Sequence, residues 1–236
     1  MLFDADEGGD IVFFFNAFIA YATARIAVEI ILPGRVRGYT HQQYVVTLAH
    51  QMFILPCLML LWVGNALSGA AEYIYLLTGA YVLSDSLINY SPVAVVIASG
   101  RSPRFSWGVH AHHFFTLILC LLGTTLPSWL ENEGAVAILV GELGSLWITV
   151  ALLRPTATNM KIRYLSFLLS RLCAVPIAVD IAWQAESDLY RVLIVILAAG
   201  LLIDNARTLR AMQRQADSLL AGQGATGENG VGSWPL

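Results

Sequence analysis

Seven apolar windows, at about 11–32, 43–63, 72–90, 109–130, 135–153, 164–184 and 188–205, divide the chain. Each is close to the roughly 20 residues a helix needs to cross a hydrocarbon core. Backbone polar groups in lipid must be satisfied within the segment, so such windows fold as helices. The expectation is an all-α polytopic membrane bundle over 11–205. An acidic segment, 1–10, precedes it. A basic amphipathic and then Gly-rich tail, 206–236, follows it.

The loops test the span count. The first holds Arg35 and Arg37, the second Glu72, and the third Arg101 and Arg104. The fourth holds Glu131 and Glu133, and the fifth Arg154, Lys161 and Arg163. The sixth holds Glu186, Asp188 and Arg191, and the tail holds Arg207, Arg210 and Arg214. With seven spans, ten of the 13 basic residues fall on one side. Basic loops stay in the cytosol, so the N-terminus is expected outside and the C-terminus on the positive side. One span more or fewer would scramble the alternation.

Composition agrees. Charged residues make up 12% of the chain, against about 25% in soluble domains. The first window follows Asp4, Asp6, Glu7 and Asp10 rather than a basic n-region, so it reads as a span and not a secretory signal. Cys57, Cys120 and Cys173 each sit within apolar sequence without a CxxC pair, which indicates neither a disulfide framework nor a zinc site. Segment 91–108 has too few apolar residues to cross. It extends the third span past Pro92 or dips into the interface. Residues 206–220 carry Arg and Leu at helical spacing, as a surface-lying helix does. The Gly-rich tail beyond is expected to be ordered only against a protein partner. Phosphate loops and nucleic-acid signals are absent, and the basic tail suits a membrane surface.

Ionisable groups inside the windows are the functional signal, because each costs about 2.5 kcal/mol or more at mid-bilayer unless paired or facing a cavity. They are Arg25, Glu29, His50, Asp85, His110, His112, His113, Glu142, Arg171 and Asp180. With the expected orientation and 1.5 Å rise per residue, windows two to six each bring a polar group to the central or inner half. A shared polar chamber accounts for them. Arg25 and Glu29, at i and i+4, are expected to neutralise each other. Asp180 is expected to reach water at the outer end.

Tyr81-Val82-Leu83-Ser84-Asp85 followed by His112-His113-Phe114-Phe115-Thr116 resembles the TLC family, the membrane domain of ceramide synthases, TRAM and CLN8 proteins. Thr47 to His50, Glu142 to Ser145, Arg154, Phe167 to Arg171 and Asn205 match weaker family features in order, so the resemblance covers about Arg37 to Arg210. The stretch that supplies a second Asp in ceramide synthases reads Arg104-Phe105-Ser106 here, and the long N-terminal extension of ceramide synthases is not expected. The chain is closer to small TLC-domain proteins.

The resemblance implies acyl transfer from acyl-CoA, as co-substrate, to an amine. His112, His113 and Asp85 would be catalytic. A neutral imidazole deprotonates a nucleophile or accepts an acyl group, and a carboxylate fixes its tautomer. Adjacent histidines diverge by about 100° on a helix, so only one need face Asp85. The other is expected to turn toward Glu142 or His50. His50, Glu142, Arg171, Tyr81 and Thr116 would bind lipid, with Arg171 holding an oxyanion or a headgroup phosphate. Nothing in the spacing demands a metal, and no covalent cofactor is expected. The alternative is a non-catalytic lipid-binding protein or an accessory subunit of a larger membrane complex. An ER-type endomembrane is the expected location, with an organelle inner membrane as the alternative.

Overall fold

The computed structural model describes residues 7–36, 39–67, 69–90, 107–126 and 128–225. Among these, the helices are α1 (Glu7–Ile31), α2 (His41–Val63), α3 (Ala70–Tyr90), α4 (Trp107–Gly123), α5 (Ser128–Leu153), α6 (Ala157–Gln184) and α7 (Asp188–Ala225). A short hairpin, β1 (Arg35–Val36) and β2 (Tyr39–Thr40), joins α1 to α2. The expectations for 91–106 and for the tail beyond 225 lie outside the described residues.

Five helices are long and apolar enough to cross a bilayer: Gly9–Ile31, His41–Val63, Leu130–Leu153, Ala157–Gln184 and Asp188–Gln215. Their outer faces expose Ile19, Phe53, Leu169 and Val195, side chains suited to lipid. The protein is therefore an integral membrane helix bundle. The apolar part of α4, His110–Gly123, is shorter. Helix α3 has 21 residues but is more polar. It carries Glu72, Ser84, Asp85 and Asn89, and most of its length is buried within the bundle.

The packing order explains that burial. Helices α2, α3, α4, α7, α6 and α5 touch in sequence around a ring, and α5 returns to α2. Helix α1 lies outside the ring against α3 and α2. Leu55, Ile74, Tyr75, Cys120 and Leu139 fill one end of the core.

Local chemistry sets the details. The backbone N–H of Thr40 donates to Gln43 Oε1 at 2.9 Å, half of the reciprocal capping arrangement that starts a helix. Helix α2 widens into a π-turn at His50–Ile54. Pro56 follows at once and has no N–H to return to the preceding turn, which accounts for the irregularity. The π-turn brings consecutive residues, His50 and Gln51, both into the interior.

Helix α7 corrects one expectation. Segment 206–220 does not lie along the surface as a separate helix, but continues the last span without a break. Met212 is 2% exposed, and Gln215 accepts a hydrogen bond from Arg163 Nη1 of α6 at 3.1 Å. The Arg163–Gln215 bond ties the segment to α6. With 38 residues, α7 is about 57 Å long at 1.5 Å per residue.

The α5–α6 crossing depends on Gly144. A Cβ there would collide with the Cβ and Oγ of Ser170, and the carbonyl of Ser166 is 3.0 Å away. Small residues of this kind let membrane helices approach closely. Gly144→Ala is expected to cost about 1–3 kcal/mol through overpacking, seen as a lower Tm in detergent. Adding Ser170→Gly should recover part of the loss, because the Ser166 carbonyl stays in place.

Candidate functional site

Among the described residues, two adjoining cavities lie within the ring. The first, about 370 Å³, is polar and touches all six ring helices. Tyr39, Tyr90, Leu152 and Thr208 line one end of it. It therefore lies toward the end that carries Arg35, Arg154, Lys161 and Arg207. The second, about 310 Å³, is bounded by α4, α5, α6 and α7 and is lined mainly by Ala, Val, Leu and Ile. His112, Glu142, Arg171 and Asn205 line both. They form a polar neck between a wet chamber and a greasy pocket.

The chamber rests on an ion pair that begins outside the ring. Arg25 of α1 is fully buried and its Nη1 lies 2.7 Å from Asp85 Oδ1 on α3. Arg25 also donates to Ser84 Oγ and Gln42 Oε1, each at 3.1 Å, and its guanidinium lies 5.1 Å from the centre of the Tyr81 ring. The expected Arg25–Glu29 pair does not form. A guanidinium carries five donors in a planar fork, and α3 and α2 together offer several acceptors where Glu29 offers one carboxylate. Asn89 Nδ2 donates to Asp85 Oδ1 at 2.8 Å, and Gln42 donates in turn to Asn89.

Asp85 then reaches α4. Its Oδ2 lies 3.6 Å from His113 Nε2, while His113 Nδ1 is 2.8 Å from Ser86 Oγ. His112 turns instead toward α7. Its Nδ1 lies 3.4 Å from Oδ2 of Asp204 on α7, a close approach without an aligned hydrogen bond. His112 meets neither Glu142 nor His50 in such a contact.

The other expected residues divide by position. Tyr81 lines the polar chamber, with its hydroxyl 2.7 Å from Thr47 Oγ1. Glu142 accepts from Gln51 Nε2 at 2.9 Å. Arg171 donates to the Gly141 carbonyl, Ser170 Oγ and Ser145 Oγ at 2.7–3.0 Å, and stacks 3.9 Å above the Phe167 ring. Thr116 lines the apolar pocket. His50 stands apart. It is fully buried, stacks on Tyr81 with ring centres 4.3 Å apart, and pairs through Nδ1 with the Tyr21 hydroxyl at 2.7 Å. It supports the wall of the chamber from behind.

Two residues escaped sequence reasoning. Asp204 sits one position before the Asn205 that ended the last window, where a carboxylate reads as an interfacial charge. Gln51 is uncharged and gave no electrostatic signal. Among the described residues, no group of three or more His, Cys, Asp or Glu is placed to hold a metal ion. No protein-family model, no curated protein and no solved structure matches this chain.

Removing one partner of a buried pair strands the other charge, at a cost of about 3–5 kcal/mol. Asp85→Ala is expected to lose stability on this scale in thermal unfolding in detergent. The double variant Arg25→Met, Asp85→Asn should lose less, because no buried charge is left unmatched.

Proposed function

We propose that this chain is a TLC-type lipid-handling protein of an ER-type endomembrane that transfers an acyl group from acyl-CoA to an amine. In this reading all seven helices span, with the N-terminus outside and the C-terminus on the positive side. The basic loops support the sidedness. The motif order from Tyr81 to Thr116 supports the family. The observation that carries the activity is the imidazole of His112 at the junction of a polar chamber and an apolar pocket. Such a junction suits a substrate with a long hydrocarbon tail and a polar reacting end.

The reaction balances with the groups present. The amine nitrogen attacks the thioester carbonyl carbon. The C–N bond forms first, the carbonyl oxygen takes up the electron pair as an oxyanion, and its return expels the thiolate as the C–S bond breaks. An imidazole of the His112–His113 pair takes the proton from nitrogen and returns one to the departing thiolate. Arg171 stands at the neck, suited to the oxyanion formed on the way. The basic end of the bundle attracts the anionic CoA.

The test is turnover by the purified full chain with long-chain acyl-CoA and a panel of lipid amines. General base catalysis contributes about 10²–10⁴-fold, so His112→Ala should lower the rate by at least about 100-fold. A wild-type protein without turnover on the panel sinks the enzyme reading. The sidedness has its own check. Asp6→Cys and Glu228→Cys should react with impermeant maleimide from opposite faces of sealed vesicles. Labelling from the same face would remove the odd span count.

One observation favours a second reading. His113 and Arg171 already have protein partners at their polar atoms, as in a network that holds a lipid without transforming it. In that case a lipid co-purifies with the chain and stays bound in His112→Ala, and no turnover occurs. A protein partner on the tail beyond 225 would then belong to the same picture.

A further inference from the structure

The two histidines of α4 are chemically unequal. Both nitrogens of His113 are engaged, Nδ1 with Ser86 at 2.8 Å and Nε2 near Asp85 at 3.6 Å. Asp85 is itself held by Arg25 and Asn89, so His113 has little freedom to turn. Among the described residues, Asp204 is the one carboxylate near a His112 nitrogen, 3.4 Å from Nδ1, and the ring otherwise meets that of His113. The His112 side chain is 31% exposed, against 14% for His113. It lines both cavities, where His113 lines only the polar one.

No other ion pair of the Asp204 carboxylate occurs among the described residues. It lines the polar chamber beside Asn205, whose Oδ1 is buried without a hydrogen bond among the described residues. A carboxylate at one imidazole nitrogen selects the tautomer that carries hydrogen there and leaves a lone pair on the other. We propose that Asp204 is the positioning residue of His112, holding hydrogen on Nδ1 so that the Nε2 lone pair serves the junction of the two cavities. The reacting unit is then a dyad across α4 and α7, and His113 with Asp85 is its scaffold. This rests on the acyl-transfer reading for its purpose, though not for its test. At 3.4 Å the two atoms do not yet form a hydrogen bond, and orienting contacts often tighten only when substrate binds.

The test uses the full chain in lipid nanodiscs and diethyl pyrocarbonate, which acylates an imidazole nitrogen that has a free lone pair. Peptide mass spectrometry reads His112 and His113 separately. In the wild type, His112 should react at least about tenfold faster, since His113 must first give up a hydrogen bond. Asp204→Asn should slow His112 by about tenfold and leave His113 unchanged, with part of the rate restored in Asp204→Glu. Nitrogen-15 spectra of the rings should show His112 in the Nδ1–H form, lost in Asp204→Asn. Equal labelling of the two histidines overturns the proposal, and so does an unchanged His112 in Asp204→Asn. If that variant does not assemble, the wild-type spectrum decides, and an Nε2–H form at His112 overturns it. None of these readouts needs turnover. A chain that transfers no acyl group but shows the dyad refutes the acyltransferase reading alone.

Discussion

A guanidinium with no exposed surface, Arg25, is the constraint on which the site depends. It sits on the helix outside the ring, where a charge without partners would be intolerable in lipid. Its partners come from two other helices: Gln42 on α2, and Ser84 and Asp85 on α3. The pairing fixes where α1 meets the ring. It also fixes Asp85, which in turn meets His113 on α4. A line of polar contacts thus runs from the outer helix to the wall of the chamber. Tyr81 reinforces it, meeting both the Arg25 guanidinium and the stacked ring of His50.

Much of the architecture was legible because hydrocarbon tolerates so few backbone solutions. Window lengths alone anticipated helices over 11–32, 43–63 and 164–184, and the structure has them at Glu7–Ile31, His41–Val63 and Ala157–Gln184. Helix ends were harder. The basic character of 206–220 suggested a separate surface helix, but Met212 and the Arg163–Gln215 bond are tertiary contacts that no periodicity reveals.

For the site, the rule that buried charges need partners picked out Asp85, His112, His113, Glu142 and Arg171, and the fold brings all five to one chamber. The rule cannot say which partner each will find. Arg25 and Glu29 were close in sequence, yet the better acceptors were on α3. His50 was polar and deep, yet its ring turns to Tyr21 and Tyr81, away from the cavity. Asp204 and Gln51 were invisible for opposite reasons, one too near a window's end and the other uncharged.

Consecutive positions on α4 carry the two imidazoles, and this gives the helix the character of a caliper. One jaw touches α3 through Asp85, and the other touches α7 through Asp204. The jaws cannot be adjusted separately, since a turn of α4 that closes one gap opens the other. A separation of α3 from α7 instead lengthens the two contacts together. The seating of α4 is thus tied to the helices on both of its sides.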